Sequence, residues 1–115
     1  MAFSEFELKR YGKIVDAYVQ SRRPPPNIRK ELDFSFRFKN QSFEIFEVRP
    51  MWRSPGETVE HPVIKATYVK KRDIWRVYWQ RADMKWHLYE PQPEVKRIED
   101  VLEVAERDEY GCFYG

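Results

Sequence analysis

The segment Ile64–Tyr89, IKATYVKKRDIWRVYWQRADMKWHLY, decides the fold because its apolar and polar side chains alternate along three short runs. Such alternation is typical of β-strands that have one buried face and one solvated face. The apolar face is expected to hold Ile64, Ala66, Tyr68, Trp75, Val77, Trp79, Trp86 and Leu88. The solvated face is expected to hold Lys65, Thr67, Arg76, Tyr78, Lys85, His87 and Tyr89. The segment therefore predicts a three-stranded antiparallel meander with a packed side and a basic, aromatic side.

Two turns set the register of this meander. The first is expected to bring Val69 opposite Ile74. The second, at Ala82–Asp83, is expected to bring Trp79 opposite Trp86. Aromatic pairs directly across two strands stabilise a sheet by up to about 1 kcal/mol, so this register is the favoured one.

A helix is predicted upstream of the meander, from about Ser4 to Arg22. Ser4 and Glu7 have the spacing of a capping box, and apolar residues follow at helical intervals. The prolines at positions 24–26 end the helix, because proline cannot donate the next backbone hydrogen bond.

A β-hairpin is predicted next, over residues 32–49. Phenylalanines alternate with polar residues up to the turn at Asn40, and Phe38 is expected to face Phe43 across that turn. The same register puts Asp33 and Glu47 on opposite faces. Residues 50–62, which are rich in proline, are expected to form a loop.

The chain is expected to end with a second helix that starts at Glu94. Its apolar residues recur at helical spacing, and the aromatic tail at 110–115 is expected to dock on the domain. The whole chain, residues 1–115, is thus predicted to be a single α+β domain. Its sheet is expected to be five-stranded and mainly antiparallel, a hairpin plus a meander, with the N-terminal and C-terminal helices on the apolar face.

Composition limits the classes of protein to which the chain can belong. It has 115 residues, 17% aromatic side chains and one cysteine, Cys112, which favours a globular cytoplasmic protein. No apolar run has the length of a membrane span or the pattern of a signal peptide, so no membrane partner is expected. Residues 64–89 hold seven basic and two acidic side chains, whereas residues 90–115 hold three basic and eight acidic ones.

The basic, aromatic face of the meander is the main candidate binding surface. Two interpretations stand. One is a protein-interaction module or homodimer, in which the basic sheet attracts an acidic helix between molecules and Trp52 adds an exposed anchor. The alternative is single-stranded nucleic-acid binding, in which Tyr78, His87 and Tyr89 stack on bases and Lys65, Arg76 and Lys85 meet phosphates.

Catalysis has weaker support in the sequence. Asp33 and the run Glu47-Val48-Arg49 resemble the acidic residues of metal-dependent nucleases, but their predicted opposite faces argue against one shared metal. Glu47 is instead expected to pair with Arg49. His61, His87 and Cys112 lack the spacing of a metal site, and no glycine-rich phosphate loop is present, so no metal or cofactor is expected.

Several segments together carry a resemblance to a known family. They are FSEFELKR, RRPPPNIR, FEIFEVRPMW, KATYVKKRDIWRVYWQRADMKWHLYEP and DEYGCFYG. With them the chain resembles an uncharacterised bacterial family of short proteins that is known only as a domain of unknown function. The resemblance covers nearly the whole chain, implies a bacterial cytoplasmic origin, and brings no activity, cofactor or catalytic residue.

Overall fold

The computed structural model describes residues 2–54 and 56–115. In chain order, the elements within these residues are α1 Glu5–Arg22, β1 Asp33–Lys39, β2 Ser42–Pro50, β3 Thr58–Val69, β4 Ile74–Gln80, β5 Trp86–Leu88, β6 Glu94–Val95 and α2 Ile98–Arg107. The sheet has the order β1-β2-β3-β4-β5, all neighbours are antiparallel, and β6 pairs with β4. The predicted α+β fold with a five-stranded antiparallel sheet and two terminal helices is confirmed, and β6 is an addition to it.

Helix α1 begins and ends as the sequence predicts. The side chain of Ser4 accepts a hydrogen bond from the backbone N–H of Glu7 at 3.2 Å, and the Glu7 carboxylate accepts one from the backbone N–H of Ser4 at 3.0 Å. Val15 and Val19 point into the core. After the helix, the guanidinium of Arg29 donates to the carbonyl of Pro24 at 3.0 Å, which holds the proline corner in place.

The hairpin of β1 and β2 has the predicted register. Phe38 faces Phe43 and Phe36 faces Ile45, so four phenylalanines of the hairpin lie on the helix side of the sheet, and Phe46 lies on the other side. The turn between the strands has two residues, and Asn40 adopts a left-handed backbone with φ of 56°. Asparagine tolerates this conformation better than most residues, which explains its place here.

Strand β3 begins earlier than the sequence indicates. Residues 50–62 were expected to form a loop, but Pro50 pairs with Thr58, and residues 58–62 belong to β3. A β-bulge at Ile45 and Phe46 shifts the register, so that Phe46 faces Pro62. A strand tolerates proline at a bulge or at a sheet edge. The prolines of this segment were therefore a misleading sign of a loop.

The register of β4 against β5 differs from the prediction by one residue. Trp79 faces His87 and not Trp86. The reason lies in the turn, where Met84 has a left-handed φ of 64°. The backbone carbonyl of Arg81 accepts a hydrogen bond from the backbone N–H of Met84 at 2.8 Å. This residue makes the connection three residues long instead of two, and three-residue hairpin loops commonly end in such a conformation. A shift of one residue exchanges the two faces of β5.

The second helix starts later than predicted. Glu94 was expected to begin it, but Glu94 and Val95 pair with Arg76 and Trp75 of β4 as the short strand β6. Helix α2 begins at Ile98, where the carboxylate of Asp100 accepts a hydrogen bond from the backbone N–H of the cap residue.

The core lies between the sheet and the two helices. Trp75 is at its centre, 1% exposed, and β3 contributes Ile64 and Ala66. The tail packs against this core as expected, because Phe113 is buried and its ring centroid lies 4.9 Å from that of Tyr89. The carboxylate of Asp108 accepts hydrogen bonds at 2.9 Å from the backbone N–H groups of Phe113 and Tyr114, which fixes the path of the tail.

Candidate functional site

The sheet face opposite the helices, here called the outer face, carries a row of side chains across all five main strands. Cross-strand partners in an antiparallel sheet point to the same side, so successive pairs define the row. It consists of Arg37, Glu44, Lys65, Tyr78 and Leu88. Neither helix lies on this side, and the predicted outward positions of Lys65 and Tyr78 agree with the pairing.

Carboxylates offset much of the positive charge on the outer face. Arg37 contacts Glu60, and its Nε lies 3.7 Å from a carboxylate oxygen of Glu44. Arg76 faces Glu94, which also accepts two hydrogen bonds from Arg72 at 2.8 and 2.9 Å. The outer face is thus a mixed-charge surface rather than an open basic groove.

The shifted register of β5 changes which residues lie on the outer face. Trp86 and Leu88, predicted to be inside, are paired with Gln80 and Tyr78 and therefore point outward. The ammonium of Lys65 lies 6.0 Å from the centre of the Trp86 ring, which agrees with this placement. The carboxylate of Asp83 supports this turn, because it accepts a hydrogen bond from the backbone N–H of Lys85 at 2.9 Å.

Three predicted binding residues consequently do not lie on the outer face as expected. Tyr89 is 3% exposed and belongs to the core, so the prediction that it stacks on a ligand from the outer face was wrong. His87 is on the helix side, opposite Trp79, and its ring nitrogen lies 2.8 Å from a carboxylate oxygen of Asp83. Lys85 is exposed in the turn that precedes β5.

A shallow cleft opens beside the displaced residues, between β5 and the tail. Trp79, His87, Tyr89 and Cys112 contribute to its walls. Burial raises the pKa of the Cys112 thiol, which disfavours the thiolate that a nucleophile requires. Cys112 therefore contributes a protonated thiol to the wall of this cleft.

The acidic residues weighed as a nuclease site are each engaged by an arginine. Asp33 accepts two hydrogen bonds at 2.8 Å from Arg23, which holds the pKa of its carboxyl below the usual range. Glu47 lies on the other face and pairs with Arg49 at 3.1 Å, as predicted. The two carboxylates do not converge, so the geometry gives the nuclease interpretation no support.

The turn between β2 and β3 presents Trp52 to solvent. Trp52 is 82% exposed, so it does not cover the core. The strands remain paired as far as Pro50 and Thr58, and the backbone N–H of Met51 donates to the carbonyl of Glu57 at 2.9 Å. The indole therefore lies next to the last backbone hydrogen bond between the two strands, and the guanidinium of Arg53 lies 4.6 Å from its centre.

A half-buried polar cluster ties the tail to both helices. The hydroxyl of Tyr18 lies 2.6 Å from that of Tyr114 and donates to Glu106 at 2.9 Å. Arg22 donates twice to Glu106, at 3.1 and 2.9 Å, and its guanidinium lies 3.6 Å from the centre of the Tyr114 ring. Burial raises the pKa of both tyrosines, so they remain protonated donors over the whole ordinary pH range.

Acid is expected to destabilise the protein. Hydrogen bonds from arginines, a tyrosine and cap or turn N–H groups lower the folded-state pKa of a set of carboxyls: Glu7, Asp33, Asp83, Glu94 and Glu106. The unfolded chain therefore binds more protons in acid, and this stabilisation, complete above the unfolded pKa values, is lost as the pH falls through the lowered ones. Thermal unfolding followed by circular dichroism should show a Tm that decreases below about pH 4.5. A Tm that stays constant or rises there would contradict these ion pairs.

The family comparison agrees with the extent of the fold. The sequence profile described as "Domain of unknown function (DUF3024)" matches residues 3–115, which include every helix and strand of the structure. The chain belongs to the DUF3024 family. No curated protein and no solved structure matches the chain. Membership in DUF3024 therefore assigns no activity to the protein.

Within residues 2–54 and 56–115, neither helix combines the length and the apolar character needed to cross a bilayer. Helix α1 has 18 residues, but lysine, arginine and acidic side chains occur along it. Its exposed apolar residues include Phe6, which is 75% exposed near the N-terminal end.

Proposed function

We propose that this DUF3024 member is a non-enzymatic binding module that engages a protein partner through the tip of the β2–β3 hairpin. The observation that carries the proposal is the exposure of Trp52 next to the paired ends of β2 and β3. Tryptophan, arginine and methionine are the residues most typical of interface anchors, and Met51 and Arg53 flank the indole in the sequence. The proposal keeps the bacterial cytoplasmic origin and the single domain over residues 1–115 that the sequence favours.

The backbone of the hairpin supports this role energetically. An anchor on a flexible loop loses conformational entropy when it binds, and this loss reduces affinity. Here the pairing of Arg49 with Val59 and of Pro50 with Thr58 leads directly to the tip, so much of that ordering precedes binding. The expected partner offers an apolar pocket that accepts an indole ring, beside a group that pairs with Arg53.

Single-stranded nucleic-acid binding receives less support than the sequence indicated. Lys65, Arg76 and Tyr78 keep their outward positions, and Trp86 adds a stacking surface. However, Glu44 and the other carboxylates of the outer face would repel phosphates, and phosphate neutralisation supplies most of such affinity.

The charge-based form of self-association is also less favoured. It requires the acidic side chains of α2 to attract the basic meander of another molecule. Glu106 is bound by Arg22, and Glu103 accepts a hydrogen bond from Arg107 at 2.6 Å. These two carboxylates are therefore already paired within the chain.

Photo-crosslinking from the hairpin tip tests the proposal. A photoreactive amino acid replaces Met51, beside the anchor, or Met84, which is 79% exposed in the turn before β5 and serves as the matched control. We expect a discrete adduct in the native host from position 51 and not from position 84. In the same background Trp52→Ala should abolish the adduct, because the indole supplies the affinity.

The partner identified in this way then allows a quantitative measurement. Titration calorimetry with the purified proteins should give a Kd that rises about tenfold or more in Trp52→Ala, as expected for a hot-spot residue. The absence of an adduct at position 51, equal adducts at both positions, or an unchanged Kd would each contradict the proposal.

A further inference from the structure

Strand β1 ends the sheet on one side, and its backbone alternation shows which groups face outward. The carbonyl of Gln41 accepts a hydrogen bond from the backbone N–H of Tyr68 on β3, at 2.8 Å. Gln41 therefore faces β3, and the next residue, Ser42, faces β1, where it pairs with Lys39. By the same alternation residues 35, 37 and 39 bond to β2, and the backbone groups of residues 34, 36 and 38 point away from the sheet.

The hydrogen bonding of Phe34 agrees with this assignment. Its backbone N–H donates to the side chain of Asp33 at 2.8 Å rather than to β2. A β-strand edge with outward N–H and C=O groups is a template for another strand, and proteins commonly block it with proline, a bulge or an inward charge. The sequence of β1, DFSFRFK, has no proline, and the bulge of this sheet lies on the other side of β2.

The side chains of β1 leave apolar surface at this edge. Phe36 and Phe38 point to the helix side and pack against the core, yet each remains only half-buried. On the outer face Arg37 lies over the ring of Phe46, 4.3 Å from its centre, and contacts Glu60. Arg37 is thereby held over the sheet, so it gives the edge little protection.

The sequence of β1 is complementary to itself in one antiparallel register. If Phe36 faces Phe36 of a second copy, Phe34 faces Phe38 and Asp33 faces Lys39 of that copy. The outward backbone groups of residues 34, 36 and 38 then face those of the second copy in hydrogen-bonded pairs, and the N–H of Phe34 exchanges its bond to the Asp33 side chain for one to the second copy. The aromatic pairs favour this register, and Lys39 adds a second cation beside Asp33, which already accepts two hydrogen bonds from Arg23. Moving the centre of symmetry to Arg37 would instead place two arginines opposite each other.

We propose that two copies of this chain associate through β1 in that register, so that the two sheets join around a two-fold axis at Phe36. A two-fold interface uses the same patch on both subunits, and β1 meets this requirement. This dimer interface uses β1, whereas the hairpin tip that carries Trp52 lies between β2 and β3. It can therefore hold whether or not Trp52 binds a separate partner.

Sedimentation equilibrium over a wide concentration series tests the association. The wild-type chain should show a monomer–dimer equilibrium. Lys39→Asp places a carboxylate opposite Asp33 of the other copy, once in each half of the dimer. This repulsion should raise the dissociation constant about tenfold. Lys71→Asp makes the same charge change in the exposed turn before β4 and should leave the constant unchanged.

A disulfide trap tests the register. In a Cys112→Ser background, Phe36→Cys places two thiols at the two-fold axis, where paired Cα atoms about 5.5 Å apart are within reach of a disulfide. We expect disulfide-linked dimers to form more than tenfold faster from this variant than from Ser35→Cys, with circular dichroism confirming that both variants are folded. A wild-type chain that is monomeric at every concentration would overturn the proposal. Equal effects of the two lysine variants, or equal rates of the two cysteine variants, would do the same.

Discussion

Trp75→Ala is expected to lower the free energy of unfolding by about 3–5 kcal/mol, the largest effect of any single substitution considered. The Trp75 ring centre lies 5.1 Å from that of Tyr11, 5.2 Å from Tyr68, 5.7 Å from Phe43 and 5.8 Å from Phe3. Truncation therefore leaves a cavity at the meeting point of α1, β2, β3 and β4. Urea denaturation followed by circular dichroism measures the change.

The matched control is Trp52→Ala, which removes the same indole from the opposite environment. Because Trp52 is 82% exposed, its removal should change stability by no more than about 0.5 kcal/mol. Comparable losses in the two variants would show that Trp52 is packed or that Trp75 is not. Trp75→Phe refills part of the cavity and should recover part of the loss.

Phe113→Ala is expected to destabilise the protein by about 3 kcal/mol. Phe113 is 6% exposed against Tyr89, so its removal detaches the tail from the core. Tyr110→Ala is the control in the same tail, since Tyr110 is 66% exposed and should contribute less than about 0.5 kcal/mol. Urea midpoints give both values. A tail that hangs free would make the two substitutions equivalent, and that result would contradict the docking seen here.

The loss of the tail should also be visible locally. Amide hydrogen exchange at Phe113 and Tyr114 reports the two hydrogen bonds to Asp108. Asp108→Asn keeps the shape of the side chain but weakens its acceptors, so exchange at both amides should accelerate while the central strands stay protected.

The sequence predicted the β1–β2 hairpin correctly because local and tertiary signals agree there. Phe38 and Phe43 flank a two-residue turn, and the alternation on both sides places every phenylalanine of the hairpin except Phe46 on one face. A slip by one residue would expose that entire face to water, so the register is strongly specified.

The register of β5 could not be obtained in the same way. The strand has only three residues, and both faces of the run Trp86-His87-Leu88 contain a large side chain. Only the left-handed backbone of Met84 decides the loop length, and methionine carries no sequence signal for that conformation. The predicted two-residue turn placed Lys85, His87 and Tyr89 on the outer face, and the three-residue loop of the structure does not.

The late start of α2 has a similar origin. Glu94 and Val95 fit the helical pattern that follows them, but β4 has a free backbone edge beside Trp75 that only the tertiary fold creates. Exposure at the hairpin tip is likewise a tertiary property. Trp52 has the same sequence character as a buried tryptophan, and its environment depends on how far β2 and β3 extend beyond β4.

The division of the return strand into β5 and β6 limits how large an assembly can become. Both pieces lie against β4, with three residues in one and two in the other, and the chain leaves the sheet between them. Such short, broken borders are poor templates for fibre growth. If two copies join through β1 as proposed, the edge formed by β5 and β6 offers no comparable strand for a third copy. Concentrated solutions should therefore contain dimers and not filaments.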